Sequence, residues 1–231
     1  MKKIICTGLL LVSFYGISQY KPDGLYSTKK IIIKKNDYIK GKNYIYDEWN
    51  YGMIVINDTV FSKQENLKYD VLNDRVLISF PIKNEVVEIN DTSLTGFSII
   101  ENGTNVKHDF VRLNSDIFKG NLTKNGFFEI VFNFENFNFL IKKHNVIIYD
   151  PNRSKGFQTV NNIPSEYKHK VTYFLKNDSG KYEKIRLKKK DIMKVLSKNY
   201  EKIKSYVKVN KIKFHKERDV IKLVNYYYSL N

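Results

Sequence analysis

The sequence predicts an α+β protein, an antiparallel β-rich body followed by a small C-terminal helical appendage of about three short helices. Two observations carry this reading. From Leu25 to about Leu187, β-branched and aromatic residues fall in short runs separated by Asn, Asp and Gly, the pattern of strands and turns. After Leu187 the apolar spacing widens to three and four residues with lysines between, the pattern of amphipathic helices.

In chain order, residues 53–56, 67–71, 76–80, 86–89, 97–100 and 106–113 are apolar runs at the roughly 8–12-residue spacing of antiparallel β structure. Asn57-Asp58, Asn73-Asp74, Asn90-Asp91 and Asn102-Gly103 stand between them and tolerate left-handed backbone; Asn102-Gly103 best suits a type I′ hairpin. In residues 127–134, alternation puts Phe128, Ile130, Phe132 and Phe134 on one face, a core face, while Glu129 and Asn133 point away. Residues 137–141 continue as a further strand, and residues 150–156 read as a loop, with little periodicity as far as Ser165. Residues 171–176 and 182–187, joined by Asn-Asp-Ser-Gly, form a last hairpin.

Three apolar stripes follow. Ile192, Val195 and Leu196 mark a helix entered near Asp191; Ile203, Tyr206 and Val207 mark one from near Asn199; Val220, Leu223, Val224, Tyr227 and Tyr228 mark one from near Glu217.

The first 18 residues carry the location. Lys2 and Lys3 precede an apolar run from Ile4 to Ile17, and Gly16 and Ser18 supply small residues before Gln19. This is the make-up of a cleaved secretory signal peptide, and the run is shorter than the ~20 residues of a spanning helix. The expected segments are a signal peptide at 1–18, the β-rich body at 19–187 and the basic helical appendage at 188–231. Cys6, the only cysteine, precedes most of the apolar run, so no lipid anchor is expected, and the exported chain has no disulfide and no thiol nucleophile.

Without the leader, 38 Lys and Arg oppose 24 Asp and Glu, a net +14. Residues 181–231 account for +11 of it. Lys188, Lys189, Lys190, Lys194, Lys198 and Lys202 are the expected site for an acidic protein or an anionic envelope surface. The competing reading is a solvated face that keeps the helices soluble. Nucleic acid suits the same charge, with Tyr200, Tyr206 and Tyr226 interleaved, but export argues against it.

The runs Tyr51-Gly-Met-Ile-Val-Ile-Asn-Asp-Thr and Asn66-Leu-Lys-Tyr-Asp-Val-Leu-Asn-Asp-Arg-Val-Leu-Ile resemble a group of uncharacterised exported proteins of Bacteroidota, as does the tail Glu217-Arg-Asp-Val-Ile-Lys-Leu-Val-Asn-Tyr-Tyr. The resemblance covers body and tail, implies an envelope location and brings no catalytic residue. Proteins leaving such cells by the type IX route usually end in a β-sandwich sorting domain. This chain ends in lysine-rich helices, so by analogy it stays in the periplasm or at the inner face of the outer membrane. Asp58-Thr59-Val60 likewise resembles the O-glycosylation motif of these bacteria, which marks Thr59.

Catalytic signatures are sparse. His108, His144, His169 and His215 show no metal-ligand spacing, and no nucleophile elbow or phosphate loop occurs. Asp47-Glu48-Trp49 joins two carboxylates to the only tryptophan, but neighbours on a strand face opposite ways, so Trp49 reads as a buried anchor or rim aromatic. No cofactor is expected. These features point to a non-catalytic, exported envelope binding or accessory protein, the alternative being a periplasmic hydrolase of envelope glycans.

Overall fold

In the computed structural model the described residues are 27–33, 38–60, 64–89, 92–121, 123–135, 137–151 and 163–230. The expected signal peptide, the Asn90-Asp91 turn and most of the loop after Asp150 lie outside them. The strands are β1 (Thr28–Ile31), β2 (Ile39–Lys40), β3 (Asn50–Ile56), β4 (Thr59–Val60), β5 (Glu65–Asp70), β6 (Arg75–Phe80), β7 (Glu85–Ile89), β8 (Leu94–Ile100), β9 (Lys107–Leu113), β10 (Gly126–Phe134), β11 (Phe137–Tyr149), β12 (Ser165–Lys176) and β13 (Tyr182–Ile185). Three helices follow: α1 (Lys189–Val195), α2 (Tyr200–Val209) and α3 (Glu217–Tyr228). The protein is α+β.

One sheet contains all the strands, in the order β1-β7-β6-β5-β3-β8-β9-β10-β11-β12-β13, with β4 on β3 and β2 on β12. Every pairing is antiparallel except β2 with β12. β3 is the pivot, with β5, β6, β7 and β1 to one side and β8 to β13 to the other. Strand backbones pass close there. A Cβ on Gly52 would lie 2.1 Å from the Ser98 carbonyl oxygen, and one on Gly96 would lie 2.6 Å from that of Phe110, so both positions require glycine.

The type I′ turn forms at Asn57-Asp58 rather than at Asn102-Gly103. Asn57 and Asp58 both have positive φ, 47° and 59°, and they join Ile56 directly to Thr59. At the other site only Gly103 (87°) and Asn105 (56°) are left-handed, and the loop closes more widely through the Glu101 N–H to the Val106 carbonyl. β11 and β12 also outrun the apolar pattern. Their register continues unbroken from Leu140↔Leu175 to Tyr149↔Glu166, because backbone pairing carries on through polar positions that a hydrophobicity reading discards.

The described residues form three apolar cores, the smallest around Phe118, Phe128, Ile141, Phe174 and Tyr182; the two larger ones bear on the site. The first gathers Ile54, Leu67, Tyr69, Val76, Ile78, Leu94, Phe97, Phe110, Phe127 and Val146. Phe97 stacks on Phe110 at 4.5 Å and meets Phe127 edge-on at 5.0 Å, with Tyr69 tilted against Phe97 at 5.2 Å. Each such pair adds about 0.5–1.5 kcal/mol beyond area burial.

The second core joins the helices to the sheet. Ile192, Val195, Ile203, Val220, Leu223, Val224 and Tyr227 pack with Leu140, Leu175 and Ile185. On α3 the buried residues fall at i, i+3, i+4 and i+7, so one stripe faces the sheet. Tyr227 donates to Asp178 Oδ1 (2.7 Å) and Tyr228 to the Lys176 carbonyl (2.6 Å), while Tyr228 stacks on Phe139 at 3.6 Å. The helical appendage is therefore packed on the sheet as well as on itself.

Candidate functional site

A charged seam lies where the two cores meet. Alternation along β11 puts Leu140, Lys142, His144 and Val146 on one face; Leu140 belongs to the helix-side core and Val146 to the β core. The polar pair between them faces Glu129 of β10. In the sheet register Glu129 stands opposite Lys142 on one side and opposite Phe110 on the other, which makes His144 and His108 its diagonal neighbours, within reach of long side chains.

Glu129 is 5% exposed. Its Oε1 lies 2.9 Å from His108 Nδ1 and 3.0 Å from Lys142 Nζ, and its Oε2 lies 2.6 Å from His144 Nε2. Burial pushes the Glu129 carboxyl upward, but the His144 hydrogen bond, the Lys142 charge and the His108 hydrogen bond outweigh it and hold the group at about 2. An ionised carboxylate only accepts, so both imidazoles donate to it and their tautomers are assigned: His108 carries its proton on Nδ1 and His144 on Nε2. The second nitrogen of His108 has no hydrogen-bond partner and lies 3.9 Å from Glu101 Oε2.

Lys142 extends the seam to the helices. Its Nζ is also 3.3 Å from Glu217 Oε2 on α3, and Tyr173 of β12 donates to the same oxygen at 2.7 Å. Burial, and then the Glu217 carboxylate, push the Tyr173 hydroxyl up. Buried ion pairs of this kind cost about as much in desolvation as they return in attraction, so the seam fixes geometry more than it adds stability.

This constellation does not follow from sequence spacing, which scatters His108, Glu129 and His144 over three strands. Alternation places Glu129 opposite Phe128, and that much holds, but the opposite face is the seam rather than solvent. The shared face expected for Phe128, Ile130, Phe132 and Phe134 is interrupted, because register shifts at Ile130–Phe132 and Phe132–Asn133 turn the strand. Phe128 then packs with Phe118, Ile141, Phe174 and Tyr182, while Phe132 joins the helix-side core. The readable signal was a lone carboxylate in a strand buried on both faces.

The seam is filled. A groove of about 380 Å³ is lined by Met53, Val55, Gly96, Ser98, Lys107 and Asp109, among others, and a second depression of about 170 Å³ by Asp74, Arg75, Glu88 and Arg112. Glu129, His108 and His144 line neither. Among the described residues, no three of His, Cys, Asp and Glu are arranged to hold a metal; in the seam the Lys142 ammonium sits 3.0 Å from the Glu129 carboxylate.

The predicted lysines form a separate surface. Lys188, Lys189, Lys190, Lys194, Lys198 and Lys202 are all exposed. Asp191, the acid nearest the first three, is engaged elsewhere. It accepts two guanidinium bonds from Arg186 (2.8 and 3.1 Å) and its backbone N–H (3.0 Å), which pull its carboxyl down to about 2. Lys198 stands 3.9 Å from Asp178. Among the described residues the other five form no ion pair.

Thr59 is exposed beside its two-residue turn. Trp49 is half-buried under Lys68, whose ammonium sits 5.0 Å above its ring and 4.8 Å above that of Tyr44. Asp47 pairs with Lys42 at 3.2 Å, and the two carboxylates beside Trp49 stay exposed without converging on a cavity. No helix among the described residues is long and apolar enough to cross a membrane. No protein-family model, curated protein or solved structure matches the chain.

Proposed function

We propose that this is a non-catalytic, exported binding or accessory protein of the cell envelope, whose basic C-terminal helices dock on an acidic partner or surface. The observation that carries the reading is the group of five exposed lysines that form no ion pair among the described residues: Lys188 just before α1, Lys189, Lys190 and Lys194 on α1, and Lys202 on α2. Three of them crowd the start of α1, the positive end of its dipole, where cations work against the helix. Helix stability does not account for that arrangement, which capture of an anion would. The exposed Thr59 suits the O-glycan its motif suggests.

A hydrolase of envelope glycans needs a carboxylic acid ready to give up a proton beside a substrate cavity. Glu129 is held ionised and packed on all sides, so the seam serves architecture. The test replaces Lys188, Lys189 and Lys190 with Gln and measures association with isolated envelopes. Binding weakens in the variant, and in the wild type it falls as added salt shortens the screening length from ~10 Å at about 0.1 M to ~3 Å at about 1 M. Association indifferent to salt and to the substitutions overturns the reading.

A further inference from the structure

We infer that the outward face of α2 lies on an anionic phospholipid surface, with Val209 entering the headgroup layer between lysines; this rests on the electrostatic docking proposed above and names its partner. Ile203, Tyr206 and Val207 turn α2 toward the protein. Its other side carries Lys202, Ser205 and Val209 in one row and Lys204 and Lys208 in the next, with Lys211 just beyond the helix end. Val209 is 74% exposed. The one acid on this side, Glu201, stands 3.8 Å from Lys204.

Three features favour lipid over other anions. The charge is lysine, twelve against the single Arg218 in residues 188–231, and a hydrated point charge suits a diffuse layer of headgroups, where arginine forks suit a defined carboxylate or phosphate. The cations are spread along the helix, as a planar partner requires, instead of converging on a pocket. An aliphatic side chain projecting among lysines gains nothing from a soluble polyanion but buries apolar area at a bilayer interface. Sugar stacking has little to use here, since Tyr206 and Tyr226 already stack on each other at 4.0 Å and 9°.

Co-sedimentation of the purified protein with phosphatidylcholine vesicles, with and without phosphatidylglycerol, tests this. Binding requires phosphatidylglycerol. Replacing Lys204, Lys208 and Lys211 with Gln lowers the affinity by roughly fivefold per lysine, and Val209→Ser lowers it about three- to tenfold with every charge retained. All four positions are exposed, and unchanged circular dichroism certifies the variants. Binding no tighter to phosphatidylglycerol vesicles than to neutral ones, or equal binding by Val209→Ser, overturns the inference. Polyglutamate beads separate it from the broader reading: retention on beads without vesicle binding leaves electrostatic docking standing and removes the lipid, whereas failure on both removes both.

Discussion

The aromatic core and the charged seam occupy adjacent positions of the same strands. Phe110 and His108 are two residues apart on β9, as are Phe127 and Glu129 on β10, yet the two regions are held in opposite ways. The rings are held chiefly by burial, which is non-directional, with ring geometry adding only about 0.5–1.5 kcal/mol per pair. The seam needs every partner in place, since each of the Glu129 contacts compensates a charge or dipole that burial would otherwise penalise. Substitution in the core should therefore act through volume and be indifferent to pH, while substitution in the seam should act through charge and depend on it.

The largest effect is expected in the core. Phe97→Ala removes a fully buried ring that touches three other aromatic rings, and should cost about 3–5 kcal/mol. Chemical denaturation should show the same loss at neutral and at mildly acid pH. A loss under about 1 kcal/mol would mean that the surrounding rings collapse into the space, and the contrast with the seam would fail.

Glu129→Gln is the matching substitution in the seam. It keeps shape and one acceptor oxygen but leaves Lys142 facing a neutral group, and about 1–3 kcal/mol is expected. The pH dependence follows from the sign of the shift. The carboxyl is held at about 2 in the fold against an ordinary 4.5, so its contribution is fully present above pH 4.5 and drains away as pH falls toward 2. Asp191 and Glu183, also held low, titrate alike in both proteins. Wild-type stability should accordingly fall more steeply than that of Glu129→Gln across this window, and parallel curves would remove Glu129 from the account of acid sensitivity.

The same contrast explains what could be read from sequence. β3, β5 to β9 and the three helices announce themselves through periodicity, because each buries one apolar face and turns at Asn, Asp or Gly. The lysine face was legible because exposed charge is a property of composition. The seam was not, since Glu129, His108 and His144 meet only through a register that depends on which strands pair, and local pattern does not encode pairing partners. The outer halves of β11 and β12 escaped for a related reason: Lys142 to Asn145 and Glu166 to Lys170 look like loop by composition, but backbone pairing carries both strands through them, with Lys142 and His144 turned into the seam.

The smallest expected effect on stability belongs to the lysine face, and it has the opposite sign from the seam. Lys188 precedes α1, and Lys189 and Lys190 lie in its first turn, where the helix presents its positive end. Replacing all three with Gln relieves that repulsion and the repulsion among the lysines themselves, so the folded state should be unchanged or up to about 1 kcal/mol more stable. Thermal unfolding reads this as a midpoint equal to the wild type or about 2–4 °C higher. The sign separates three roles. Lysines that support the fold lose stability when replaced, and lysines that only solvate a surface change neither stability nor envelope association. Lysines that are held for an anionic partner, as proposed, lose the association while stability stays level or rises.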